Sequence, residues 1–268
     1  MILQFARDGM ADCPDGSGKK TPDSAGKEDG KSMKALILNS GLGSRMGDLT
    51  KEHPKCMTEI GNGETIVSRQ LKMLKEAGIR EIVMTTGVFA DVLREYCDSL
   101  ALPLQITYVL NPRCRETNYI YSIYCAREYL EDDILLLHGD LVFEKSVLDD
   151  MLVSPVSCMT VSSAVPLPEK DFKAVLDGDR ILKVGIEFFD NAMAAQPLYS
   201  LRKEDWLQWL GKIGEFCEAG NTKVYAENAL NALEGAVNLY AMDTGERLCG
   251  EIDNPEDLLI IRRKLGMK

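Results

Sequence analysis

From Lys34 onward, apolar runs of strand length alternate with segments whose apolar residues recur at helical spacing. No other feature narrows the architecture as much. "KALILN", "REIVMTTG", "LQITYVL" and "DDILLLHGD" read as strands, the first and last as buried ones. Between and after them, "ETIVSRQLKMLKEAG", "FADVLREYCDSL", "NYIYSIYCAREYL" and "EKSVLDDML" read as helices, with Gly78 near the end of the first. Strands separated by helices predict an α/β fold: a mostly parallel sheet with helices on both faces and ligands at the C-terminal strand ends. After Ser154 the pattern changes. "CMTVSSAV", "FKAVLDGDRILKVGIE" and "AVNLYAMD" alternate more, and Asp177-Gly178 is a hairpin signal. A mixed or antiparallel extension, or a lid over one end of the sheet, is expected here. A long helix follows at "KEDWLQWLGKIGEFCEAG", and the last is "NPEDLLIIRRKLG", with Asn254 as N-cap and Pro255 at N1. Residues 1–32 are rich in Gly, Asp, Lys, Ser and Pro without apolar period, and are expected to be a disordered arm or linker. An upstream fused domain and a homodimer are both left open.

The formal net charge of the 268 residues is -11, which argues against a nucleic-acid partner. An anionic ligand must instead be held by local cations. The eight cysteines show no Cys-x-x-Cys spacing, and with only two histidines no zinc constellation assembles. Buried reduced thiols, and with them a cytoplasmic protein, are expected. No apolar run reaches membrane-spanning length, so no membrane partner is expected.

The first strand runs straight into Asn39-Ser40-Gly41-Leu42-Gly43-Ser44-Arg45, and a Pro54-Lys55 pair follows. A Gly-rich turn after a strand lets backbone approach a ligand closely, and the two cations point to an anionic one. Two familiar phosphate loops do not fit. A dinucleotide fingerprint needs glycine where Met46 stands, and a P-loop needs Gly-Lys-Ser/Thr where Gly47 is followed by Asp48 and Leu49. The segment instead resembles the opening signature of the sugar-phosphate-type nucleotidyltransferases: strand, small-small-Gly-x-Gly-Ser/Thr-Arg, spacer, Pro-Lys. Asn39 and Ser40 stand where two alanines are common in that family. "NPRCRETNYIYSIYCA", "HGDLVFEKSVL" and "EIDNPEDL" look like its CTP-using branch, which activates phosphocholine and 2-aminoethylphosphonate.

The resemblance implies a Rossmann-like sheet over about residues 33–155 that binds nucleotide. It also implies an acceptor part over about 156–250, and a closing segment, 251–268, that brings a metal carboxylate and the last helix. Residues 41–45 would offer N–H groups to the triphosphate of CTP, with Arg45 on the outer phosphates and Lys55 at the α-phosphate. Such a transfer needs positioning and cations rather than a general base, because the attacking oxygen is already ionised. Magnesium takes hard oxygen ligands. Asp140 closes a buried strand at the ligand edge, Asp253 matches the family's second metal carboxylate, and Glu251 points the same way if its stretch is extended. His138 is expected to be a satisfied core residue. Thr86 and Gly87 end the second strand, where the family commonly contacts a pyrimidine. Asn118 and Ser122 lie one turn apart on a helix face, to contact the base or to cap and pack.

For the acceptor, an aromatic cage would suit choline. Phe172, Tyr199 and Tyr225 can contribute to one, but Ala226 sits where phosphocholine enzymes tend to place tryptophan. Glu169-Lys170-Asp171-Phe172-Lys173 resembles the Glu-Lys-x-x-Lys motif of phosphonate cytidylyltransferases. Lys170 and Lys173 would bracket a phosphonate dianion and Glu227 would pair with its ammonium, unless the segment is an exposed charged loop. The expected activity is therefore CMP transfer from CTP to 2-aminoethylphosphonate, with phosphocholine as the alternative acceptor. A non-catalytic nucleotide-binding domain is the rival class; it predicts loss of Lys55, Asp140 or Asp253, and all three are present.

Overall fold

The computed structural model describes residues 33–267; the arm expected over 1–32 lies outside them. The first strand, β1 (Met33–Asn39), explains the layout. Leu36 and Leu38 pack into one apolar cluster while Ala35 and Ile37 pack into another, so both faces are covered. A strand buried on both faces is what a parallel sheet core requires. The hairpin β2 (Glu59–Gly61) and β3 (Glu64–Thr65) leads into α1 (Ile66–Glu76). Thr65 caps that helix, accepting from Ser68 N while Ser68 Oγ accepts from Thr65 N. Then come β4 (Glu81–Thr86), α2 (Ala90–Ser99), β5 (Gln105–Leu110), α3 (Tyr119–Ala126) and β6 (Asp133–His138). β5, β4, β1 and β6 lie side by side, all parallel.

The second half continues the same sheet. After β7 (Leu141–Phe143) and α4 (Lys145–Val153) come β8 (Ser157–Ser162), β9 (Lys173–Asp177), β10 (Arg180–Gly185) and β11 (Ala192–Leu201). α5 (Lys203–Glu218), α6 (Ala226–Asn231), β12 (Leu239–Asp243), β13 (Cys249–Glu251) and α7 (Pro255–Lys264) complete the described chain. The strand order is β5-β4-β1-β6-β11-β8-β12-β10-β9, and β11 also pairs with β9. β11 lies antiparallel between β6 and β8, and a register shift between Ala195 and Tyr199, around Pro197, lets its first half turn away to meet β9. The expected alternation after Ser154 is thus an extension of one mixed sheet. The hairpin expected at Asp177-Gly178 is the β9–β10 turn, with Gly178 at φ 62°. On one face, Trp206 and Trp209 of α5 are fully buried, their indole N–H groups donating to Leu130 O at 2.8 Å and Ala226 O at 2.9 Å.

One small assembly matters most for the site. β13 pairs antiparallel with β7, placing Glu251 opposite Leu141, and Ile252 N donates to Asp140 O at 3.0 Å. Ile252, Leu258 and Ile261 pack with Met46, Ile60, Ile66, Val142 and Leu248 in an apolar cluster of their own. Asn254 caps α7, accepting from Glu256 N and Asp257 N.

Candidate active site

At the C-terminal ends of β1 and β6 the chain opens into a cleft of ≈ 460 Å³. Its floor is made by the Gly-rich turn. Gly43 sits at φ 64° and a Cβ there would come within 3.2 Å of Lys55 Cβ, so the turn packs on the lysine stem. The chain then enters a short 3-10 segment, Ser44–Thr50, rather than a regular α-helix; Gly47 breaks it at φ 59°. Thr50 Oγ1 donates to Gly43 O at 2.9 Å and fastens the loop.

Lys55 lies between two carboxylates. Its Nζ is 2.5 Å from Asp140 Oδ2 and 2.7 Å from Asp253 Oδ1, and Arg45 Nη2 reaches the same Asp253 oxygen at 2.9 Å. Burial works against the Lys55 charge, but the two carboxylates outweigh it and hold the ammonium above its usual pKa. Burial likewise opposes ionisation of Asp140, and Lys55 with His138 reverses the balance, so its carboxyl titrates below the usual range. Glu251 differs: burial and the neighbouring Asp140 charge push it up to about 7. His138 Nδ1 meets Glu251 Oε1 at 3.0 Å, and this contact, against the opposing effect of burial, raises the imidazole.

The sequence places Asp140 and Asp253 as metal ligands, with Glu251 beside them, and the geometry brings all three to one end of the sheet. Asp140 Oδ1 is buried with no hydrogen-bond partner among the described residues. Ligand atoms of His138, Asp140 and Glu251 lie within 4.8 Å of one another. An unpartnered carboxylate oxygen with a second carboxylate and an imidazole beside it fits a divalent metal ion. His138, read from sequence as a satisfied core residue, instead lines the cleft, and its Nε2 has no partner among the described residues. The signal was available: His138 closes β6 two residues before Asp140, at the end of the strand where ligands are expected.

The remaining expectations divide. Asn39, Gly41, Leu42, Gly43, Ser44, Asn118, Lys170, Phe172 and Tyr225 line the cleft. Ser40, Thr86, Gly87 and Ser122 do not. Ser40 Oγ and Ser122 Oγ are 2.6 Å apart, Asn111 Nδ2 donates to Ser122 Oγ at 2.9 Å, and Thr86 is buried beside β5, so these groups brace the turn from below. Gly87 packs under the turn as well, since a Cβ would stand 2.6 Å from Ser40 O. Asn118 caps α3, accepting from Tyr119 N at 2.7 Å.

Four acceptor residues are placed differently from expectation. Glu227 is buried, with one oxygen accepting from Tyr199 OH at 2.7 Å and the other from Tyr119 OH, so it has no free face for an ammonium. Tyr199 is wholly buried in the core against Trp209. Lys173 is also wholly buried. Glu169 is exposed and does not line the cleft. The aromatic wall consists of Phe172 and Tyr225, edge to face at 5.1 Å, with Tyr119 at 5.9 Å from Tyr225 and 4.7 Å from the His138 ring. Tyr119, Asp171 and Gly139 are lining residues the sequence reading did not single out.

Comparison with known proteins agrees with the family resemblance. Residues 35–164 match the MobA-like NTP transferase domain. CMP-5'-(3-aminopropyl)phosphonate synthase of Streptomyces rubellomurinus is 33% identical over 150 residues, 56% of this chain and 24% of that protein. CTP:phosphoglutamine cytidylyltransferase of Campylobacter jejuni is 30% identical over 45% of this chain and 48% of its own length. For choline-phosphate cytidylyltransferase of Streptococcus pneumoniae the figures are 29%, 44% and 50%. The chain thus spans half or less of the length of these curated relatives. In fold it is similar to CTP:phosphocholine cytidylyltransferase from Streptococcus pneumoniae (TM-score 0.71, 18% identity, 87% of this chain and 99% of that one). It is equally similar to inositol-1-phosphate CTP transferase from T. maritima (TM-score 0.71, 22% identity, 88% and 98%). The mixed α/β nucleotidyltransferase fold expected from the sequence is the fold observed.

Proposed function

We propose that this chain, whose residues 35–164 form a MobA-like NTP transferase domain, is a cytidylyltransferase that moves CMP from CTP to a small phosphonate or phosphate acceptor and releases pyrophosphate. The observation that carries the reading is the Lys55 ammonium, held between Asp140 and Asp253 beside the Gly-rich turn. Residues about 33–155 are assigned to the nucleotide, about 156–250 to the acceptor, and 251–268 to the metal carboxylate and closing helix.

The reaction is an in-line displacement at the α-phosphorus, and its barrier is repulsion between two anions together with their alignment. Backbone N–H groups of the Gly41–Arg45 turn cradle the triphosphate, Arg45 meets its outer phosphates, and Lys55 offsets charge growing at the α-phosphate. The pairing of Lys55 with two carboxylates fixes the ammonium before substrate arrives. Asp140 and Asp253, with Glu251 beside them, would hold magnesium, which supplies further charge neutralisation on the phosphate oxygens when bound. His138 orients Glu251 through their 3.0 Å contact. No side chain needs to remove a proton, since the acceptor oxygen arrives ionised.

The acceptor put first is 2-aminoethylphosphonate. The relatives include an aminoalkylphosphonate CMP synthase, and Lys170 and Asp171 offer one charge of each sign in the cleft. Phosphocholine is the second reading, favoured by the Phe172–Tyr225 pair, whose rings can face a quaternary ammonium. Pyrophosphate release decides between them, measured for CTP, UTP and GTP against 2-aminoethylphosphonate, phosphocholine and no acceptor. The highest kcat/KM is expected for CTP with the phosphonate. A preference for phosphocholine reverses the acceptor assignment, and no release with any pair favours a non-catalytic nucleotide-binding domain.

A further inference from the structure

Lys173 is the one lysine whose side chain lies wholly inside among the described residues. It opens β9, in register with Gly185 of β10 and Ala194 of β11, and so starts beneath the loop that precedes it. Its Nζ donates to Pro168 O at 2.6 Å and to Asp171 O at 3.1 Å, and stands 4.2 Å from the centre of the Phe189 ring. No ion pair joins it to a carboxylate among the described residues. A buried ammonium has to have its donors met; two carbonyls meet two of them and an aromatic face attracts what is left.

The two carbonyls are informative because of where they fall. They bracket Glu169 and Lys170, so one ammonium draws together both ends of a four-residue stretch. Lys170 and Asp171 then line the cleft, while Phe189, on the separate loop between β10 and β11, sits on the other side of the same ammonium. We propose that Lys173 is a positioning residue: its ammonium staples the Pro168–Asp171 turn against Phe189 and so holds Lys170 in the cleft, without touching the acceptor. The two lysines of the Glu-Lys-x-x-Lys segment therefore have different work, one facing the ligand and one fastening the loop that presents it. This inference rests on the acceptor reading above for its kinetic consequence, but not for its structural one.

Lys173→Met keeps the stem and removes the donors. In substrate-free protein, hydrogen exchange of the amides of residues 164–171 is expected to quicken several-fold. Acceptor KM should rise by about tenfold, with the KM for CTP unchanged. Lys173→Arg should not restore either property, because a planar fork does not fit a fully enclosed ammonium site. If exchange is unchanged while acceptor binding is lost, Lys173 contacts the ligand directly and the proposal fails; it fails too if neither property moves. Should the methionine variant not fold, the wild type still answers. A slowly exchanging Lys173 ammonium resonance in ligand-free protein that is unmoved by acceptor supports the staple, and one that shifts with acceptor, or exchanges too fast to observe, overturns it. Exchange and resonance readings need no turnover, so a wrong acceptor and a wrong staple fail separately.

Discussion

Gly139 shows how little room the site leaves. A Cβ on it would fall 1.6 Å from Asn39 Oδ1 and 2.9 Å from Leu38 O, so only glycine lets the ends of β1 and β6 meet below the turn. Gly139→Ala must push Asn39 aside, and about 1–3 kcal/mol of stability should be lost together with CTP affinity; thermal melts with and without CTP check both. Asp140→Asn and Asp253→Asn keep size and remove charge. Both should fold and both should lose turnover; near-normal pyrophosphate release in the two variants would remove the metal assignment. Glu251 makes a prediction of its own about pH. Its folded pKa of about 7 lies above the ordinary carboxyl value of 4.5, so the native state binds the extra proton between them and stability falls as pH rises through that window. The raised His138 acts in the same direction: its contribution is complete below 6.5 and is lost as pH climbs through its folded value. Glu251→Gln removes the first effect and weakens the second, since Asp140 and Glu227 still favour the imidazolium, so in chelator-treated protein its melting temperature should depend less on pH between 5 and 8.

At the scale of elements, the 163–172 loop is assigned by the proposed function to the acceptor side, and α5 packs behind that half of the sheet. Trp209 is buried under Tyr199 and holds the start of α6 through its 2.9 Å bond to Ala226 O, which in turn sets Glu227 between two tyrosine hydroxyls. Trp209→Ala should cost about 3–5 kcal/mol in denaturant unfolding. Lys170→Ala tests the loop: a charge-assisted contact contributes on the order of 1.5–3 kcal/mol, so kcat/KM for the phosphonate should fall by about ten- to a hundredfold while CTP affinity holds. Full activity in that variant would return the segment to a solvated loop. Elements also mark where sequence reading stopped. β11 is the longest strand and lies inside the sheet, yet "AMAAQPLYSL" has three alanines and a proline and little alternation. Its strand state comes from pairing with β6, β8 and β9, not from its own residues. The short β7, β13 and α6 leave too few residues for any period to show.

For the whole molecule, residues 1–32 provide a test from composition alone: they carry no apolar period, so deleting them should leave melting temperature and kinetic constants nearly unchanged. No helix among the described residues is long and apolar enough to cross a membrane. By itself the sequence determined the parallel sheet core, the Gly-rich turn with Arg45 and Lys55, the carboxylate at the end of β6 and the capped last helix. Each is written in consecutive residues, where apolar period, glycine and capping chemistry act over one or two turns of chain. The tertiary structure alone decided which charges meet. Glu251 reaches His138, 113 residues away in sequence, because β13 pairs with β7 in one register and Ile252 packs behind it. It also decided that Lys173 and Glu227 face inward. Spacing puts a lysine near a loop, but only the strands that flank β9 settle whether its ammonium meets solvent or two backbone carbonyls.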